Sequence, residues 1–243
     1  MSVKKILVLT AATLAAVGTT AAMAGASDNM AMASAPSQSS VYVDLGGGYA
    51  QSNWSDFNSN GLIGNSLVST YTPTSNGQGG FIGGGDLGYN INNNIAVEGG
   101  AYYLPKVEAA GTGVSVGGTT SVLTTVTGYP VYSWFGYMAA KLSVAVADNL
   151  DLYGKIGAAY RALYYGTPNG VSLNQFASDG SYWAPLFGAG LQYTWDMNWM
   201  VGAQYLYLPG NTNVNNVNTA FGAPNAAPEA NLYTAFLGYK FMV

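Results

Sequence analysis

From Val41 onward, apolar side chains recur at every second residue through eight segments, and the charges inside those segments take the other parity. A two-residue period belongs to β-strands, whose side chains point alternately to opposite faces. The segments are Val41–Trp54, Phe81–Asn90, Ile95–Leu104, Tyr132–Ala145, Leu150–Tyr164, Tyr182–Trp195, Trp199–Leu208 and Leu232–Val243. Seven charged residues lie away from the segment ends: Asp44, Asp86, Glu98, Lys141, Lys155, Arg161 and Lys240. All seven fall opposite the apolar stripe, as do Gln192 and Gln204.

The composition says what the apolar stripe meets. Only 7% of the 243 residues are charged while 49% are hydrophobic, too few charges to coat a water-soluble surface. After residue 24 no apolar run reaches the ~20 residues of a spanning helix. A chain that meets lipid on alternate residues satisfies both limits, the other class left open being a secreted all-β protein. A charge facing lipid costs roughly 2–4 kcal/mol at the bilayer midplane for Lys or Arg, which accounts for the one-sided placement. The charged parity also carries many glycines, among them Gly46, Gly48, Gly84, Gly88, Gly100, Gly157, Gly188, Gly190, Gly202 and Gly238. Small residues suit the interior of a narrow barrel, and these are expected to leave volume that water can enter.

The connections sort into two classes. Ile91–Asn94, Val146–Asn149 and Asp196–Asn198 are short and carry the Asn or Asp that tight turns favour. Ser55–Gly80, Pro105–Val131, Tyr165–Ser181 and Pro209–Asn231 are long, and the two classes alternate without exception. That rhythm predicts an all-β, eight-stranded antiparallel up-and-down transmembrane barrel over 41–243, with short periplasmic turns, four long outer loops and periplasmic termini. Two segments end alike, Ala101-Tyr-Tyr-Leu-Pro105 and Tyr205-Leu-Tyr-Leu-Pro209, and each is expected to stop at its proline. Aromatic side chains sit where girdles belong. Tyr89, Trp195, Trp199, Tyr239 and Phe241 flank the short-turn end; Tyr49, Tyr103, Trp134, Tyr164, Trp183, Tyr207 and Tyr233 lie toward the long-loop end.

The first 24 residues read as an export signal: Lys4 and Lys5, an apolar stretch from Ile6 to Ala22, and Ala22-Met23-Ala24 as the cleavage signature. Cleavage is expected between Ala24 and Gly25. Gly25 to Ser40 is small, polar and aperiodic, and reads as a flexible lead-in.

Stretches such as GGGDLGYNINNNIAVEGGAYYL (Gly83–Leu104) and LDLYGKIGAAYRA (Leu150–Ala162) resemble the OmpA/OmpX-type eight-stranded outer-membrane barrels. The final LYTAFLGYKFMV resembles their C-terminal insertion signal, although that family usually ends in Phe and here Phe241 is followed by Met242 and Val243. The resemblance implies a bacterial outer-membrane location, contact with outer-membrane lipid and lipopolysaccharide, and insertion by the barrel assembly machinery. The family's peptidoglycan-binding domain is not expected after the eighth segment, so wall anchoring is not implied.

Several chemistries are disfavoured. Cysteine and histidine are absent, which removes thiolate metal sites and the commonest general base. The acidic balance, 7 Lys and Arg against 11 Asp and Glu, speaks against a nucleic-acid partner. Gly83-Gly-Gly-Asp-Leu-Gly88 spells a dinucleotide fingerprint but runs into a turn instead of a helix, so no cofactor is expected. The sequence therefore predicts a non-enzymatic barrel with a structural or surface-interaction role. A lumen network of Asp44, Asp86, Glu98, Lys141, Lys155, Arg161, Gln192, Gln204 and Lys240 is expected, because buried charges are normally paired. A small or gated porin-like channel for ions or small solutes is the alternative. The nearly uncharged Asn-, Gly-, Ser- and Thr-rich loops leave open a surface or host ligand.

Overall fold

The computed structural model describes residues 39–54, 62–63, 66–73, 77–117, 120–165, 178–212, 214 and 226–242. The export signal, with Ala24 and Gly25, and nearly all of the lead-in lie outside them. The described strands are β1 (Ser40–Asn53), β2 (Leu62–Ile63), β3 (Ser66–Pro73), β4 (Gln78–Asn90), β5 (Ile95–Gly117), β6 (Thr120–Ala147), β7 (Leu150–Tyr165), β8 (Ser178–Trp195), β9 (Trp199–Leu208) and β10 (Glu229–Met242).

Eight of these close a barrel in the order β1, β4, β5, β6, β7, β8, β9, β10, with β10 pairing back onto β1. All pairings are antiparallel, and the β1–β10 seam runs from Ser40↔Met242 to Asn53↔Glu229. Closure leaves the eight strands no unpaired edge inside the membrane, where an unbonded peptide group is costly. Turn chemistry fixes the short hairpins. Asn92 Oδ1 accepts from the backbone N–H of Asn94 (2.9 Å) and Ile95 (2.8 Å). Asn149, Asp196 and Met197 take positive φ, the twist that tight hairpins need.

The barrel is inside-out relative to a soluble protein. Its outer wall presents Phe81, Leu45, Trp183 and Met138 at 89, 74, 71 and 68% exposure. Its inner wall buries Asp44, Asp86, Glu98, Lys141, Lys155 and Arg161. An apolar surface of this extent marks a contact with lipid or with another protein, and an apolar outer wall around a closed barrel is the arrangement that lipid requires. On that surface Trp195, Trp199, Tyr239 and Phe241 form a continuous chain of ring contacts at the short-turn end, with centroids 6.2, 5.1 and 4.9 Å apart. Tyr89 is exposed beside them, paired with Val41. Toward the other end Trp134, Tyr160 and Trp183 are in contact, and Tyr103, Tyr164 and Tyr233 are exposed.

Two expectations are corrected. The third segment does not stop at Pro105. β5 runs on to Gly117 and pairs with β6 as far as Gly117↔Thr120, with register shifts between Leu104 and Val107 and between Ala109 and Gly111. Proline has no N–H to give a ladder, but at a bulge none is demanded. The Thr- and Val-rich stretches beyond it favour strand. Within the first long connection, β3 adds to the outer part of β5, and β2 to β3. At Pro209 the expected stop is found: β9 ends at Leu208, and beyond the proline only one further bridge among the described residues, Asn211↔Ala227, follows in the β9–β10 register.

The second correction concerns the inward glycines. At four of the ten, Tyr rings occupy the space they leave. An added Cβ at Gly88 would collide with the Tyr42 ring, at Gly84 with Tyr102, at Gly190 with Tyr153, and at Gly100 with both Tyr137 and the Asp86 carboxylate. The small residues make room for four large ones.

Candidate functional site

The most concentrated chemistry lies in the lumen. Lys155, on β7, reaches across it: Nζ donates to Glu98 Oε1 on β5 and to Gln204 Oε1 on β9 (2.7 Å), and lies 3.6 Å from Asp86 Oδ2 on β4. Glu98 also accepts from the Tyr42 hydroxyl at Oε2 (2.6 Å) and from the Tyr137 hydroxyl at Oε1 (2.5 Å). Asp86 Oδ2 accepts from Tyr102 (2.9 Å) and from Gln204 Nε2 (3.3 Å). Lys141, next to Lys155 in the β6–β7 register, donates to Gln192 Oε1 (2.8 Å) and sits over the rings of Tyr153 (4.2 Å) and Tyr42 (4.9 Å). It is 4.0 Å from Glu98 Oε2. Hydrogen bonds to ionised partners and ammonium–ring contacts replace part of the water these charges have lost.

Asp44 completes the group differently. Its carboxylate lies with those of Asp86 and Glu98, ligand oxygens all within 4.8 Å of one another. Yet Asp44 Oδ1 and Asp86 Oδ1 are buried with no hydrogen-bond partner.

Seven of the nine residues expected in the network are thus together: Asp44, Asp86, Glu98, Lys141, Lys155, Gln192 and Gln204. Arg161 and Lys240 lie apart. Arg161 is six residues beyond Lys155 along β7, roughly 20 Å of strand. Its guanidinium donates to Ser133 Oγ (3.3 and 3.1 Å), the Tyr182 hydroxyl (3.2 Å) and the Pro228 carbonyl (2.5 Å). With Tyr165 donating to the Ala226 carbonyl (3.0 Å) and Tyr182 to the Pro209 carbonyl (3.0 Å), it ties the connection between β9 and β10 into the barrel mouth. Val214, Ala226 and Ala227 are buried there beside Leu163 and Leu208. Lys240, half-buried near the short-turn end, has Asp151 as its electrostatic neighbour.

Sequence reasoning missed Tyr42, Tyr102, Tyr137 and Tyr153, which supply hydroxyls and ring faces to the network. The signal was present, since each shares the parity of the charge on its own strand: Tyr42 with Asp44, Tyr102 with Glu98, Tyr137 with Lys141, Tyr153 with Lys155.

A family model described as an outer membrane protein beta-barrel domain matches residues 11–241. The 31 kDa outer-membrane immunogenic protein of Brucella melitensis is 27% identical over 254 residues, covering 95% of this chain and 98% of that protein. Among solved structures, the outer membrane protein OprG of Pseudomonas aeruginosa aligns with a TM-score of 0.52 at 12% identity, covering 85% of this chain and 98% of OprG. Neisserial surface protein A aligns with a TM-score of 0.50 at 14% identity, covering 83% and 97%. At these identities the structural likeness shows the fold alone.

Proposed function

We infer the role of this chain from one premise: it belongs to the outer membrane protein beta-barrel domain family and is an outer-membrane protein. Within that family we propose a structural, surface-displaying barrel with a closed lumen and no enzymatic activity. The observation that carries this is the bridge of Lys155 from β7 to Glu98 on β5, Asp86 on β4 and Gln204 on β9. A barrel of eight strands is only wide enough for side chains to fill, whereas aqueous channels accompany roughly 16–18 strands. The tie of Arg161 to Pro228 supports closure at the loop end as well. Display is supported by the extension of β5 and β6 over 23 and 28 residues, beyond the ~9–11 a membrane strand needs. Their outer halves, with β3 and β2, make a sheet that can meet a surface or host ligand.

The reading includes export, with cleavage between Ala24 and Gly25, insertion by the barrel assembly machinery, contact with lipopolysaccharide, and the long connections facing outward. Protein purified from envelopes should therefore begin at Gly25.

Planar-bilayer recording of the refolded monomer tests the closed lumen. No stable, wide conductance is expected, and at most small, brief openings. A large, steady, solute-permeable channel would overturn the reading in favour of a porin.

A further inference from the structure

We propose that the lumen binds one monovalent metal cation between the carboxylates of Asp44 and Asp86. The two residues face each other directly in the β1–β4 register, Asp44↔Asp86, with side chains on the same inner face. Like charges directly opposite on paired strands repel. Asp44 is 5% exposed and Asp86 3%, so water does not screen them. Each directs a carboxylate oxygen, Oδ1, at no hydrogen-bond donor.

No hydrogen-bond donor reaches Asp44 Oδ1. The partner of Asp44 on β10 is Gly238, and the next inward positions on β1 and β4 toward the long-loop end are Gly46 and Gly84. All five Lys and Arg residues beyond residue 24 are described, and their charges are directed elsewhere. Lys155 is held by Glu98, Gln204 and Asp86 Oδ2, and Lys141 by Gln192 and two tyrosine rings. Arg161 is on the Pro228 carbonyl and Lys106 on Glu108 (3.3 Å). Lys240, opposite Tyr42 in the seam, forms no ion pair with Asp44 and sides with Asp151.

With all five groups ionised, three carboxylates against two ammonium groups leave the cluster one negative charge in excess. Buried charge of this kind must be balanced. The free acceptors are carboxylate oxygens, ligands for a hard cation. The excess is a single charge, and Lys155 stands 3.6 Å from Asp86, so a divalent ion would overshoot. A sodium-class ion, its remaining positions filled by water, matches both donor type and charge.

The test uses the mature protein refolded in detergent and exchanged into choline chloride, then titrated with NaCl, KCl or CaCl2 at constant ionic strength. Sodium-23 NMR should show line broadening on adding protein, reversed by excess KCl and abolished in Asp44→Asn. The unfolding midpoint should rise in sodium relative to choline, by roughly 3–6 °C for each tenfold excess over Kd. Asp86→Asn serves the same purpose if Asp44→Asn does not fold, and the wild-type NMR measurement needs neither variant. A midpoint and line width indifferent to the identity of the cation would overturn the site, and a larger stabilisation by calcium than by sodium would overturn its monovalent assignment.

Discussion

Lys155 contacts Glu98, Asp86 and Gln204 from one position on β7, so its charge is shared by three other strands. Removing one partner of a buried ion pair strands the other, at a cost of about 3–5 kcal/mol. Lys155→Met should lower stability by that order, read as the urea midpoint of the detergent-folded protein. Combining it with Glu98→Gln should cost less than the sum, because the second change removes a charge the first left unmatched. A fully additive pair would show that the two residues do not share an interaction. Glycine gives a second residue-scale case. The Tyr42 ring lies where a Gly88 methyl would go, so Gly88→Ala should destabilise by about 1–3 kcal/mol through overpacking. Tyr42→Leu should recover part of that loss in the double variant, measured by the same unfolding. Parity in the sequence is enough to assign Asp44, Asp86 and Glu98 to the inner face. It cannot show that Asp44 lacks a donor, because that depends on which residues face it across two seams: Asp86 in one and Gly238 in the other.

At the scale of elements, the eight alternating segments match the eight barrel strands closely, and β9 coincides with its segment at both ends, Trp199 and Leu208. Alternation is legible because each of these strands separates lipid from lumen. The extension of β5 and β6 was not legible for two reasons: outside the bilayer the two faces no longer differ so sharply, and a proline bulge looks like a stop. The folding-in of the connection between β9 and β10 was not legible either, because it rests on Arg161 bonding to a backbone carbonyl, which any residue at 228 would present. Arg161→Met should leave that buried carbonyl short of a donor, at about 1–3 kcal/mol. Cleavage near 226–228 by a protease added to the folded barrel should then quicken, by an order of tenfold at about 1.4 kcal/mol. An unchanged cleavage rate would mean that Tyr165 and the Asn211↔Ala227 bridge hold the segment without it.

For the whole molecule, the contrast between the two walls makes the sharpest demand on location. Lysine is accommodated at positions 141 and 155, each 5% exposed, because tyrosines, amides and carboxylates solvate it there. Among the described residues the outer wall has no such groups at mid-depth. Leu45 sits midway between Val41, which pairs with Tyr89 and Phe241, and Tyr49, which pairs with Tyr233. The eight steps from Val41 to Tyr49 span roughly 26 Å of strand, or about 20 Å of depth at a tilt of ~40°. That is close to the ~25 Å apolar band of outer-membrane barrels. Leu45 therefore lies near the bilayer midplane, and Leu45→Lys should cost roughly 2–4 kcal/mol in lipid vesicles. Ile91→Lys, at the short turn beyond the girdle, should cost only about 0–1 kcal/mol. Both residues are largely exposed, at 74 and 50%, so in water the two substitutions would be nearly equivalent. The comparison is made by reversible unfolding in vesicles, following the heat-sensitive mobility of the folded form. Equal costs at the two positions would contradict the depth assigned to Leu45, and with it the membrane-spanning placement of β1.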